Sequence, residues 1–376
     1  MFEGTDFYAV PDPLPGGPPG TLLRCQPVAA ADGSIAGAVV WRIMYLSRSL
    51  QGEPIAVTGV ALVPTSEPPV GGRPLVTMGH GTAGIADRCA PSRQADVVAA
   101  LVQRCCPPHE PVRAGYLVVV SDYEGLGTPG RHPYLVGESE GRSMLDAAKA
   151  ARQLPDADAQ DRLAVFGYSQ GGHAALWAQQ IAAEWAPRLE VVGTVAGAPV
   201  TELPAIYAAL GSLSDAKLLL RIVAGFHAAY PDADPASVLN EDGLAALPQV
   251  DTLCDGEIGA DLGLRNADLL RTDYLTAEPW SSLVARSDPG QTATSTPILL
   301  LHSADDETVP VELSGLLYDR LRAVGQRVER RVYDRGEGHA AAAPAAVADA
   351  IAWFATCGSA VGHSTAPDPP NASRPA

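Results

Sequence analysis

The chain has 376 residues, a formal charge of −17 and a 47% share of apolar side chains, with 33 prolines and 37 glycines. That length and apolar share permit one large α/β domain with an insertion, or two domains, and exclude global disorder. The acidic balance argues against nucleic acid or an anionic membrane surface as the main partner, and reads first as solubility.

Residues 1–20 are rich in Pro and Gly and read as an arm without regular structure. Met1-Phe2-Glu3-Gly4-Thr5-Asp6 lacks the basic and then apolar build of a signal peptide. The expectation is either a cytoplasmic protein or a chain that begins at the mature start of a secreted one. Runs 38–46 and 55–63 are apolar and β-branched, and Gln51-Gly52-Glu53-Pro54 lies between them. They predict a hairpin of the first two strands. A short strand at 75–78 runs into Gly79-His80-Gly81, and residues 96–102 have a helical pattern. Residues 116–120 form a continuous apolar run, as in a central strand covered on both faces. An Ala-rich helix at 143–154, a strand at 163–166, a helix at 172–184 and a strand at 191–196 follow.

From 200 to 292 the pattern changes to helical runs, such as 203–210 and 216–229, with no strong strand signal. Alternation then resumes with a strand at 298–301, a helix at 311–323, a strand at 328–332 and a helix at 345–354. Strands alternating with helices mean a mostly parallel sheet flanked by helices. The expected organisation is an α/β core of residues 1–199 and 293–357, an inserted, mainly helical cap at 200–292, and a disordered tail at 358–376. No run reaches the ~18 uninterrupted apolar residues of an integral membrane segment. The six cysteines are Cys25, Cys89, Cys105, Cys106, Cys254 and Cys357, and none has zinc-site spacing. No metal or cofactor is expected, and Cys105-Cys106 reads as a pair of partly buried thiols.

Gly167-Tyr168-Ser169-Gln170-Gly171-Gly172 lies between the 163–166 strand and the 172–184 helix. Strand, G-x-S-x-G and helix form the layout of a nucleophile elbow, in which a sharp turn exposes the serine hydroxyl. Serine attacks at neutral pH only if a base takes its proton, and a carboxylate must orient that base. In α/β-hydrolases the chain order is serine, acid, histidine. The loop after the 298–301 strand carries Asp305, Asp306 and Glu307, and Gly336-Glu337-Gly338-His339 follows the next strand. Both loops leave the C-terminal ends of strands, where functional groups gather in open α/β sheets. His339 is therefore the candidate base. The three acids compete, with Asp306 favoured because it stands four residues before Pro310, then Asp305, then Glu307. His173, beside the serine in sequence, reads as packing or capping. A tetrahedral intermediate needs donors for its oxyanion. The candidates are the N–H groups of Gln170, which follows the nucleophile, and of Thr82 in Gly79-His80-Gly81-Thr82.

The triad motifs are widespread, but two further stretches are more specific: Asp87-Arg88-Cys89-Ala90-Pro91-Ser92, and Asp122-Tyr123-Glu124-Gly125-Leu126-Gly127-Thr128-Pro129-Gly130 with His132-Pro133-Tyr134-Leu135 after it. With them the chain resembles the secretory lipase family of α/β-hydrolases over roughly residues 2–355. The resemblance implies an α/β-hydrolase fold and hydrolysis of small-molecule carboxylic esters, acylglycerols included, beneath a helical cap. It maps nucleophile, acid and base onto Ser169, Asp306 and His339, and implies a disulfide between Cys89 and Cys254. The chain departs from the fungal members in two ways: it has Gly79-His80-Gly81-Thr82 where they carry an acidic side chain near the oxyanion loop, and little follows His339 to form their C-terminal flap. Those departures favour soluble or short-acyl esters. Tyr207, Leu218, Leu219, Phe226 and Trp280 are candidate lining residues of the cap. The alternatives left by the residues are a peptidase or acyltransferase with the same triad, and a catalytically silent binding module.

Overall fold

The first strand of the protein is one that local patterning does not announce. In the computed structural model, which describes residues 6–212, 216–255 and 265–359, β1 (Leu22–Pro27) pairs only with β2 (Ala38–Arg48) at the sheet edge. Its residues mix Leu with Arg, Cys and Gln, and its register shifts between Leu22 and Arg24, so no clean alternation marks it. The expected hairpin is thus made by the second and third strands: β2 and β3 (Pro54–Pro64) pair antiparallel along their whole length.

The core then alternates. β4 (Arg73–Gly79) leads through a loop that carries Thr82 to α1 (Val97–Gln103), capped by the Asp96 carboxylate accepting from the Ala99 N–H, and α2 (His109–Arg113). β5 (Leu117–Ser121), α3 (Gly137–Ala151), β6 (Ala159–Tyr168), α4 (Gln170–Trp185) and β7 (Glu190–Gly197) follow. α3 begins earlier than the Ala-rich run because its first turns carry Gly137 and Gly141, which weaken the local helix signal. Its buried face, from Ser139 to Ala151, supplies what propensity lacks.

After β7 come α5 (Leu203–Ala209), α6 (Ala216–Ala229), α7 (Glu241–Ala246), α8 (Asn266–Leu269) and α9 (Trp280–Ser287). They share one apolar cluster, which includes Tyr207, Leu219, Phe226, Val250 and Trp280. Within it Leu135, Leu203, Tyr207, Ile222, Phe226 and Val284 line a cavity of about 10 Å³. The chain returns to the sheet with β8 (Ile298–Ser303), α10 (Val311–Ala323), β9 (Val328–Tyr333) and α11 (Ala343–Ser359). Of the tail expected from residue 358, α11 takes in 358 and 359, and 360–376 lie outside the described residues.

The described strands form one sheet in the order β1-β2-β3-β5-β4-β6-β7-β8-β9. Pairing is antiparallel from β1 to β5 and parallel from β5 onward. α3 and α4 cover one face through a cluster that includes Leu75, Val119, Met144, Leu163 and Ala178. α10 extends that cover through Leu317 and Leu321, which join Leu176, Ile298 and Leu300. The other face packs Val76, Val118 and Leu299 against α1, α2 and α11, among them Leu101, Val112, Val347 and Phe354. Both faces are dry, which is why β5 and β8 read as unbroken apolar runs.

Cys89 and Cys254 form a disulfide across 165 residues of sequence. On a chain-entropy account a closure of that length is worth about 5 kcal/mol. Alkylation of the denatured protein without reductant should label four thiols, Cys25, Cys105, Cys106 and Cys357. Labelling of all six before reduction would contradict the bond.

Candidate active site

β6 ends at Tyr168 and α4 begins at Gln170, so Ser169 alone makes the turn between them. It does so at φ 59° and ψ −122°, a backbone region costly for a residue with a Cβ. The neighbouring glycines make this possible. A Cβ on Gly167 would sit 1.8 Å from the Gly171 carbonyl oxygen, and one on Gly171 would sit 1.9 Å from that of Gly79. The turn is then pinned by backbone bonds: the Ser169 N–H donates to Gly197 O at 2.9 Å, and its carbonyl accepts from Gly172 N–H at 2.9 Å. The Ser169 residue keeps 8% of its surface accessible.

Two loops at the same sheet edge bring the acid and the base together. Asp306 Oδ1 accepts from the N–H groups of Thr308 at 2.9 Å and Val309 at 2.7 Å, and Oδ2 lies 2.6 Å from His339 Nδ1. A carboxylate only accepts, so the proton sits on Nδ1 and leaves Nε2 as the basic nitrogen. Burial pushes the Asp306 carboxyl up, but hydrogen bonds from His302, His339 and the Val309 N–H outweigh it and hold the group well below the usual carboxylate range. Asp305 is exposed, and Glu307 uses its carboxylate on the His339 backbone N–H at 2.9 Å. The acid on the imidazole ring is therefore that of Asp306. The loop is tied to the elbow by the Tyr168 hydroxyl, which donates to the His339 carbonyl at 2.7 Å. The Tyr168 and His339 rings lie 5.3 Å apart.

Thr82 reaches the same place from β4. A Cβ built on Gly81 would lie 3.7 Å from Ser169 Cβ, so the loop passes against Ser169. The Gly81 N–H donates to Arg104 O at 2.7 Å, and Arg104 Nη1 donates to Thr82 O at 3.0 Å. Neither the Thr82 N–H nor the Gln170 N–H has an acceptor among the described residues. His80 is fully buried, with Nδ1 against Gly81 O at 2.7 Å, and burial pushes its pKa down to about 4. It is a neutral packing residue on Tyr123, with ring centroids 4.6 Å apart.

Behind the elbow lies a polar cluster that sequence reasoning missed. The Gln170 side-chain amide donates to Glu140 Oε1 at 2.8 Å and to His132 Nε2 at 2.9 Å. Glu140 Oε1 also accepts from the Leu135 N–H at 3.1 Å, and Oε2 faces His173 Nδ1 at 2.8 Å. The other nitrogen of His173 is 3.0 Å from the Ser287 carbonyl at the end of α9. His132 Nδ1 meets the Glu124 carbonyl at 2.9 Å, and burial pushes its pKa down against the pull of Glu140. His173 is thus a connector between elbow, α3 and α9. The only sequence signal was the run His132-Pro133-Tyr134; Glu140, on an ordinary helix face, gave none.

The two family-specific stretches meet as well. Asp122 accepts from the Ser92 N–H at 3.0 Å and from the Ser92 and Thr58 hydroxyls, while the Gly127 N–H donates to Asp87 at 3.2 Å.

With this geometry in view, the comparisons with known proteins are consistent in kind. Residues 108–358 match the family described as Secretory lipase. The chain is 27% identical over 340 residues to a probable inactive lipase of Mycobacterium tuberculosis, spanning 86% of this chain and 75% of that one. It is 24% identical over 355 residues to the trichothecene C-3 esterase of Fusarium sporotrichioides, spanning 88% and 77%. Among solved structures, closed-state Candida antarctica lipase A superposes with a TM-score of 0.73 at 22% identity, over 89% of this chain and 81% of that one. The rice cell wall degrading esterase LipA of Xanthomonas oryzae does so with 0.71 at 22% identity, over 90% and 96%. The fold is that of the α/β-hydrolases.

A carboxyl held below its ordinary range stabilises the fold above the unfolded-state value, and that contribution is lost as pH falls through the folded-state value. The unfolding free-energy gap between the parent and Asp306→Asn should therefore narrow as pH falls from about 5 to about 2. Denaturant titrations across that window check it, and a gap that widens toward acid would contradict the assignment.

Proposed function

Since the chain belongs to the secretory lipase family, we propose that it hydrolyses carboxylic esters of small molecules, acylglycerols among them, through an acyl-enzyme on Ser169. The observation that carries this reading is the 2.6 Å contact of His339 Nδ1 with Asp306, on a loop hydrogen-bonded to the residue before Ser169. His339 Nε2 takes the Ser169 proton as the hydroxyl attacks the ester carbonyl. Asp306 orients the ring and stabilises its charged form. The Thr82 and Gln170 N–H groups receive the oxyanion. His339 then protonates the leaving alcohol, and water repeats the sequence on the acyl-enzyme.

Residues 200–292 act as a cap over this site and shape the acyl or alcohol pocket. The reading of a secreted protein is supported by the family and by the Cys89–Cys254 disulfide, since such bonds persist in oxidising compartments. A second reading, a silent binding module, has one observation in its favour: the M. tuberculosis relative is named as probably inactive. Against it stands the full set of Ser169, Asp306 and His339 in this chain.

One pair of measurements separates the two. A fluorophosphonate probe should modify Ser169, and p-nitrophenyl esters of graded acyl length should be hydrolysed. Ser169→Ala should abolish labelling and lower turnover by on the order of 10⁴-fold or more. Absence of both labelling and turnover in the parent would favour the binding module. Retention of more than a few per cent of turnover in Ser169→Ala would remove Ser169 as nucleophile.

A further inference from the structure

Two hydroxyl groups face each other one residue on from Gly81, which lies against Ser169. Thr82 Oγ1 and the Tyr134 hydroxyl lie 3.0 Å apart, and neither has another hydrogen-bond partner among the described residues. Two O–H groups making one hydrogen bond leave one proton without an acceptor. Which proton is left over follows from the surroundings. Tyr134 is 3% exposed, so a Thr82-to-Tyr134 bond would strand the phenol proton in a dry site. Burial, the largest influence on Tyr134, pushes its pKa up and keeps the phenol protonated as a donor. The arrangement that leaves no buried orphan has the phenol donate to Thr82 Oγ1. The Thr82 hydroxyl, half-buried on the loop that passes against Ser169, then keeps a free proton.

We propose that the Thr82 hydroxyl is a third oxyanion donor, alongside the N–H groups of Thr82 and Gln170, and that Tyr134 is the positioning residue that turns it toward the reacting carbonyl. This rests on the acyl-enzyme reading above. Thr82 is firmly held in this position. Its carbonyl accepts from Arg104 Nη1 at 3.0 Å, and Asp255, whose N–H donates to Ala83 O at 2.9 Å, lies 3.4 Å from the same Arg104 nitrogen. Backbone and side chain of Thr82 are thus each held by a separate partner, Arg104 and Tyr134, so its donors are in place before charge develops. A hydroxyl that meets the oxygen only once it carries charge lowers the barrier without tightening substrate binding.

The test compares kcat and KM for a p-nitrophenyl ester in the parent, Thr82→Val, Thr82→Ser and Tyr134→Phe, with the thermal midpoint of each recorded. Thr82→Val should lose about 10²-fold in kcat with KM within about threefold. Thr82→Ser, which restores a hydroxyl, should stay within about threefold of the parent in kcat. Tyr134→Phe should lose about tenfold in kcat at unchanged KM, because the Thr82 proton is no longer directed. It carries the test should Thr82→Val fail to fold. Two results overturn the inference with the parent active: a folded Thr82→Val or Tyr134→Phe with parental kcat, or losses that appear in KM alone. A parent that neither hydrolyses the ester nor labels at Ser169 overturns the acyl-enzyme reading, and this inference with it.

Discussion

The approach of α4 to the ends of β4 and β6 is closer than any side chain would allow, and the rest of the site follows from it. Gly171 at the start of α4 lies against Gly167 of β6 and Gly79 of β4, where an added Cβ would come within 2 Å of a backbone oxygen in both directions. Because β4 and β6 are neighbours with Gly79 opposite Gly167, the helix start is wedged over both strands at once. Ser169 is forced into its left-handed backbone conformation, and the first-turn amide of Gln170 stays open, as helix starts leave their N–H groups without intrahelical partners. The same contact sets the loop after β4, with Thr82, next to the loop after β6. Gly81 and Ser169, almost ninety positions apart in sequence, come together for that reason.

The elbow is steadied from behind by polar rather than apolar contacts. Glu140 is fully buried and meets Gln170, His173 and the Leu135 N–H, and His173 in turn reaches the Ser287 carbonyl. A carboxyl so placed is costly unless every lone pair is engaged, and breaking one partner would leave a buried charge uncompensated. The cluster therefore tolerates little displacement of α4 relative to α3 or α9. That rigidity is what a strained serine needs, because the left-handed turn persists only where its surroundings overdetermine it.

The loop after β4 is fastened to the segment at 252–255. Cys254 is bonded to Cys89 and bridges to Gly84, the Asp255 N–H donates to Ala83 O, and Arg88 donates to the Thr252 carbonyl. Asp255 also pairs with Arg104 and Arg221. Those bonds make this stretch an anchor of the loop after β4.

Much of the architecture was legible locally. Strand and helix alternation, the strand–turn–helix around Ser169, and the order of an acid loop and a histidine loop are short-range patterns, each carried by a few adjacent residues. β1 was not legible, because an edge strand paired on one side needs no regular alternation. Neither were Glu140 and Arg104, which look like ordinary helix and loop residues until strands distant in sequence become neighbours. Residue type alone does not distinguish Asp306 from Asp305 and Glu307; only its place four residues before Pro310 favoured it. The turn between Ser303 and Val309 aims one carboxylate at the His339 ring, one at its backbone and one at solvent. By itself the sequence determined the fold class and the kinds of group available, because backbone periodicity and turn chemistry are local. The partnerships among those groups were decided only by the tertiary structure, because they depend on strand order and on contacts closed across 30 to 171 residues of sequence.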